Sequence, residues 1–562
     1  MMFGGTSVSA DDAVSTDATS MTSELESSSE TDTTSTLDSR EETSSTTETS
    51  IHTASSQEEE VASNVEENRS ESAESTGSTL SNSDDSASEN DSTIDVSTSD
   101  YSASANTTAT ITFDDSGLVA TTSQGVTIDG TTVTISQSGT YTLTGNGTSY
   151  TIIVSGSITD PVILVLDDVT LTDSNIVSES AAELTVNVFS DSSISSNTGN
   201  AIEAAGALIV TSATNSTLTL SSTAKHALKA DSVTIDSVTL DLTSSDKDGI
   251  HATTDITITN AAVTITAGDD GIQVEDDTDV NGGDVTITDS TVTTTASDKG
   301  IMTTDALTIA GDSVVTINAG DEGLEGRYLH LTGGTINITV GDDGINATEW
   351  TEKDNAVTSN LTNSAADLEN SVAIVIDGAT VTILAAGDGI DSNGDVTFKS
   401  GSLYVAQTSQ DNAVVDYDET GIISGGTVWA IGSQGMAQAF MTGSSQSYIT
   451  VNISGSNGGT ITISDSSGNV IATTTATAAF SSVVFSAEAL ESGQTYTITT
   501  SSGSTANTST TTGTSNTSDS SRPTPPIGGF PSNTGQTAST PVDTINQGER
   551  SVTKGLFKSR KE

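Results

Sequence analysis

The chain has 562 residues, with 15 Lys+Arg against 77 Asp+Glu, a formal net charge of -62 and a pI near 4.1. Such a charge repels nucleic acid and anionic membrane surfaces, so neither is expected as a partner. Zero Cys excludes disulfides, thiolate metal sites and thiol catalysis, and no apolar run approaches the length of a membrane span.

The first hundred residues hold 24 acids and two bases, Arg40 and Arg69. This Ser/Thr-rich stretch has little periodicity and too few apolar residues to offset chain entropy, which predicts a disordered acidic stalk over 1–105. No charged n-region or apolar stretch opens the chain, yet Val8-Ser9-Ala10 before Asp11 has the form of a cleavage site. The expectation is an extracellular or cell-surface protein whose signal peptide is not visible, its start truncated.

From about residue 106 the pattern changes to short alternating runs such as Val233-Thr234-Ile235, Ile256-Thr257-Ile258 and Val285-Thr286-Ile287. Period-two alternation is the signal of strands. An anchor recurs at Gly249-Ile250, Gly271-Ile272, Gly300-Ile301, Gly323-Leu324, Gly344-Ile345 and Gly389-Ile390, separated by 22, 29, 23, 21 and 45 residues. Ala201-Ile202, Ala227-Leu228 and Ala413-Val414 are weaker copies. A period of 22 to 25 residues with two or three strands describes one coil of a parallel β-helix. Its thin aliphatic core needs few aromatics, in keeping with 3% Phe, Trp and Tyr.

The predicted fold is therefore all-β: a right-handed parallel β-helix, a solenoid, with flanking β caps and disordered N- and C-terminal segments. The solenoid is placed at 106–440, with 106–175 closing one end and a polar insertion at 348–371. A C-terminal β cap or module follows at 441–505. The final segment, 506–562, holds five of the six prolines and six of the 15 bases and reads as a linker with a basic tip. Phe530 to Gly535 lacks the spacing of a sortase signal and has no apolar span after it, so wall anchoring by that route is not expected.

Several motifs occur together in order. They are Thr140 to Gly145, Val165 to Val169, Lys247-Asp248-Gly249-Ile250-His251, Gly387-Asp388-Gly389-Ile390-Asp391-Ser392-Asn393-Gly394, Val415 to Asp418, Ser424 to Thr427 and Gly435 to Gln438. In these the chain resembles a family of secreted, calcium-containing carbohydrate-binding proteins with a right-handed parallel β-helix. The resemblance covers about 106–500. It implies a fold like that of polysaccharide lyases, bound calcium, and a plant-type or cell-wall polysaccharide partner, cellulose- or pectin-like. A monomer with no membrane span is expected.

Carboxylates gather at the anchor. On adjacent coils, equivalent residues stand about 4.8 Å apart, and like charges at that spacing repel by at least about 1 kcal/mol per pair. Ca²⁺, which takes 6–8 oxygen ligands, is the economical compensation. Asp388, Asp391 and Asn393 form a short-range oxygen cluster, with Asp342 and Asp343 one coil away if the insertion loops out. Asp269, Asp270 and Asp321 are further candidate ligands. The competing reading of each is a solvated turn.

Tyr404 and Trp429 fall one coil apart at matching offsets, so with Leu403 and Val428 inward they face outward in one column. They offer a sugar platform or an ordinary aromatic ladder covering the sheet or a cap. Trp350, Tyr328 and Tyr417 are weaker sugar-binding candidates. Catalysis is not expected. The alternatives are a calcium-dependent pectate-lyase-like enzyme, for which Arg327 is the best base, and a structural adhesin or surface spacer. Arg327, close to Glu322 and Glu325, is expected instead to be an ion-pair partner in the acidic column, and none of His52, His226, His251 and His330 has the context of a catalytic histidine.

Overall fold

Short Thr/Val/Ile runs of this kind pair side by side only if each finds a neighbour at the same inward phase. A computed structural model of the chain places them so. It describes residues 107–511 apart from 115–116, 354–355, 365–366, 435–437 and 442. The predicted stalk and nearly all of the predicted C-terminal linker lie outside these residues. All described residues belong to the unit Thr93–Glu562. The structure is all-β, with about 13 solenoid turns and two 3-10 turns, Trp350–Glu352 and Thr358–Asn360, among the described residues.

The anchors stack as the spacing predicts. Ile176, Ile202, Leu228, Ile250, Ile272, Ile301, Leu324, Ile345 and Ile390 are successive register partners in one parallel column. All nine are fully buried. A second column runs Leu208, Val233, Ile256, Val285, Leu307, Leu329, Ile374, Val396. A third runs Leu218, Leu240, Val263, Val292, Val315, Ile336, Val381, Leu403, Val428. These three columns form the thin core; each fully buried aliphatic side chain contributes about 1.5–3 kcal/mol relative to exposure.

The anchor glycine has a steric cause. A Cβ on Gly323 would meet the Gly344 carbonyl oxygen at 2.4 Å and Ile338 Cγ2 at 2.5 Å. Its N–H donates to the Asp343 carbonyl at 3.0 Å, so the next coil lies too close for a side chain. Where Ala201 replaces the glycine, the equivalent bond to His226 stretches to 3.4 Å.

The N-terminal closure is smaller than predicted. Strands over 139–178 already pair in parallel as coils. Closure comes from two antiparallel hairpins, Thr107–Asp114 with Gly117–Ala120 and Val126–Asp129 with Thr132–Ile135. One strand of each hairpin, Thr107–Asp114 and Thr132–Ile135, still joins the solenoid through a parallel partner, and alternation alone does not separate the two pairings.

At the other end parallel pairing stops at Thr427–Gly432. That strand pairs antiparallel with Phe480–Ser486, which also pairs with Tyr448–Gly455. A four-stranded antiparallel sheet, Val470–Thr475, Thr460–Ser464, Thr495–Thr500 and Thr505–Ser509, packs with these strands around a second core of Ile449, Ile461, Phe485, Tyr496 and Ile498. The insertion folds back on the loop before Asp284. Thr362 N donates to Thr278 O at 2.8 Å, Asn360 Nδ2 to Asp277 at 2.8 Å, and Glu369 N to Asn281 Oδ1 at 2.9 Å.

Candidate functional site

The turn at the anchor carries the polar chemistry. The residue before each anchor is, coil by coil, Asn200, His226, Asp248, Asp270, Lys299, Glu322, Asp343 and Asp388. The residue after the anchor Ile or Leu is Glu203, Lys229, His251, Gln273, Met302, Glu325, Asn346 and Asp391, each in register with the next.

Local geometry explains why carboxamides and carboxylates recur in the first column. Asn200 Oδ1 accepts from His226 N at 2.9 Å, Asp270 Oδ1 from Lys299 N at 2.9 Å, and Asp343 Oδ1 from Asp388 N at 2.5 Å. One oxygen per side chain thus ties its coil to the following one. The second terminal atom serves the same turn: Asn200 Nδ2 donates to Glu203 at 2.8 Å, and Asp270 Oδ2 accepts from Gln273 Nε2 at 2.9 Å.

The predicted metal candidates divide into three groups, each with ligand atoms within 4.8 Å of one another. Asp343, Asp388 and Asp391 converge, with Asp343 and Asp388 buried. Asp342 joins Asp321 and Glu322 instead; Asp269 and Asp270 join Asp298. Asn393 lies on an exposed turn and donates from Nδ2 to Thr348 Oγ1 at 2.9 Å.

These groups differ in charge compensation. Lys299 reaches Asp321 at 3.5 Å, Glu325 at 3.0 Å, and Glu322. Lys353, brought in by the insertion, also contacts Glu325, and burial together with Lys299 holds its ammonium down to about 8. Burial pushes the Asp343 carboxyl up to about 8, with Asp342, Asp391 and Asp388 adding to the rise. Burial likewise pushes Asp270 up to about 7, aided by Asp248 and Asp298.

Arg327 is fully buried, its guanidinium 3.0 Å from Asp305 and 3.4 Å from Glu349 and bonded to the Val280 carbonyl. It is an ion-pair partner, but of Asp305 and Glu349 and not of the acidic column, where Glu322 and Glu325 are taken by Lys299 and Lys353.

The aromatic candidates fare differently. Tyr404 and Trp429 are indeed register partners in one column, with Leu403 and Val428 inward. The C-terminal module then covers them. Trp429 packs on Phe485 with ring centroids 4.4 Å apart, and the Tyr404 hydroxyl bonds Thr475 O at 3.1 Å and Thr477 N at 2.9 Å. Trp350 is buried and donates to Glu275 at 3.2 Å; Tyr417 is buried and bonds the Ala439 carbonyl. Trp429, Trp350 and Tyr417 are therefore buried, and Tyr404 is half-buried with its hydroxyl tied to the module.

Tyr328 and His330 are half-buried rings on the solenoid wall, centroids 5.6 Å apart. His330 lies in an outward column with half-buried Thr234, Thr257, Thr286 and Thr308. Sequence reasoning passed over His330 and the His226–Asp248–His251 group. The signal for the latter was present: His226 occupies the position of Asp248 one coil earlier.

The described residues contain no helix long and apolar enough to cross a membrane. Comparison with curated proteins gives no match. Among solved structures, a polysaccharide lyase-like protein from C. thermocellum, solved as a gadolinium derivative, is similar at 21% identity and a TM-score of 0.34. The similarity covers 40% of this chain and 96% of that one. The profile of carbohydrate-binding domain-containing proteins matches residues 129–413. That match spans the anchor ladder and just over half of the chain, and the chain belongs to this carbohydrate-binding family.

Proposed function

We propose that this chain is a non-catalytic, extracellular polysaccharide-binding protein whose acid ladder is held by calcium. The observation that carries the calcium reading is the Asp343–Asp388–Asp391 triad: three carboxylates within 4.8 Å, two of them buried, one pushed up to about 8. Buried acids so close need a hard cation or bound protons. The donor set fits calcium. Asp343 Oδ1 accepts from the Asp388 amide and Asp388 Oδ1 from the Ala413 amide, so the following coil fixes both carboxylates beside Asp391. Calcium there stabilises the solenoid, and positions left to solvent bridge the carboxylates of acidic sugars.

For neutral glycans the face we favour is the threonine column ending at Tyr328 and His330. It offers hydroxyls at coil spacing beside an aromatic ring, the pairing of flat apolar face and hydrogen-bonding edge that sugars match. With only seven bases at 101–500, six of them lysines, and its single arginine buried in ion pairs, the solenoid has little to offer as a lyase base.

Retention on insoluble cellulose- and pectin-type polysaccharide, with and without chelator, tests this. Acidic-glycan retention should vanish with chelator, and Tyr328→Ala should weaken neutral-glycan retention severalfold while leaving the fold intact. Retention of neither glycan would favour a surface spacer. Unsaturated product from polygalacturonate with calcium would establish a lyase.

A further inference from the structure

A different chemistry occupies the ladder nearer its N-terminal end. His226 precedes the anchor Ala227, Asp248 holds the same position one coil later, and His251 follows Ile250 in register with Lys229. Coil stacking lays His226 beside Asp248, and the turn brings His251 back onto the same carboxylate. His251 Nδ1 lies 2.9 Å from Asp248 Oδ2, and His226 Nδ1 lies 3.2 Å from that oxygen. The two rings are 4.6 Å apart, and the three ligand atoms fall within 4.8 Å of one another.

Internal hydrogen bonding accounts for only part of this trio. Asp248 Oδ1 accepts from Asp270 N at 3.3 Å, and Oδ2 pairs with His251. His226, 8% exposed, directs Nδ1 at the same oxygen yet makes no hydrogen bond through it. A buried ring nitrogen is a strong acceptor or donor and is rarely left without a partner. Its backbone is held in place from the other side by Asn200. Lys247, next in sequence to Asp248, is drawn off to Asp269 at 3.0 Å.

We propose that His226, Asp248 and His251 form a site for a zinc-class dication that joins two adjacent coils. Zinc bonds imidazole nitrogen and carboxylate oxygen at roughly 2.0–2.2 Å, which sets tetrahedral donors about 3.3 Å apart. The contacts of 2.9 and 3.2 Å open to that spacing by a few tenths of an ångström. Two nitrogen donors and one oxygen suit zinc and disfavour calcium, which takes oxygen ligands. Three protein ligands leave a fourth position for water or a small ligand beside the half-buried His251.

The test uses the untagged full chain, stripped with chelator and returned to a large excess of calcium so that the hard acid sites are filled. Zn²⁺ is then titrated calorimetrically, and Co²⁺ is added in parallel as a spectroscopic probe. A single equivalent of Zn²⁺ should bind despite the calcium, and Co²⁺ should give visible bands of a nitrogen-ligated site. His251→Gln, at the half-buried position, should weaken binding by more than about tenfold, and Asp248→Asn should do the same. Circular dichroism confirms that each variant is folded, and His251→Gln decides the matter if a buried variant is not. No zinc binding in excess calcium, or binding unchanged in folded His251→Gln, would overturn the site.

Discussion

The two ends of the turn ladder use one backbone for opposite electrostatics. Around 200–251 the columns run Asn200, His226, Asp248 and Glu203, Lys229, His251, which sets imidazole and ammonium groups beside the carboxylates. Burial alone would raise Asp248, but the two imidazoles beside it hold its carboxyl down to about 2. Around 343–391 the same positions stack acid on acid, and Asp343 is pushed up to about 8. In a solenoid each coil contacts its neighbours, so stability is set locally along the ladder. The comparison teaches that the first end sets imidazoles against its carboxylate, whereas the second stacks carboxylates that, on the function proposed above, take a hard cation from solution.

The largest effect that sharpens this contrast is steric. Gly323→Ala, at a coil where the next carbonyl stands 2.4 Å from the added Cβ, should destabilise the protein by about 1–3 kcal/mol. Ala227→Gly, at an anchor that already carries a side chain, should cost no more than about 1 kcal/mol. Denaturant melts compare the two; equal costs would mean that coil spacing does not vary between the ends.

Next in size is Asp343→Asn, which keeps an Oδ1 acceptor for the Asp388 amide and removes one charge. With calcium present it should weaken calcium binding by about tenfold, roughly 1.4 kcal/mol. In chelator the sign reverses. The folded wild type holds protons at Asp343 and Asp270 up to about 8 and 7, while the unfolded chain releases them near 3.8. Stability of the chelated protein therefore falls as pH rises from about 4 to 8, and Asp343→Asn should flatten that fall. Thermal melts at pH 5 and 8 read it directly.

The smallest effect lies between the two ends. Thr294 is fully buried in an aliphatic column between Ile265 and Ile317, and its hydroxyl has no hydrogen-bond partner among the described residues. Thr294→Val should stabilise by about 1 kcal/mol, visible as a small rise in melting temperature.

The anchor columns were legible from spacing because a solenoid repeats its contacts at nearly fixed sequence distance. Gly-Ile pairs at 249, 271, 300, 323, 344 and 389 point to the very residues that stack. The carboxylate grouping was legible only in part, since a turn can send adjacent Asp342 and Asp343 to different clusters. The fate of Tyr404 and Trp429 was not legible. Period two placed them outward, but what covers them, Phe485 and Thr475 to Thr477, comes from an antiparallel module with no repeat register to the coils. The insertion's docking on 277–281 is hidden for the same reason.

Hydrogen exchange resolved coil by coil at pH 8, on protein holding one equivalent of zinc and compared with and without calcium, tests the central contrast most directly. Withdrawing calcium should strip protection from the strands at Ile345–Ala347 and Ile390–Ser392 while the segments 202–204 and 250–252 keep theirs. Protection unchanged at both ends, or lost equally at both, would contradict a calcium requirement confined to the acid end.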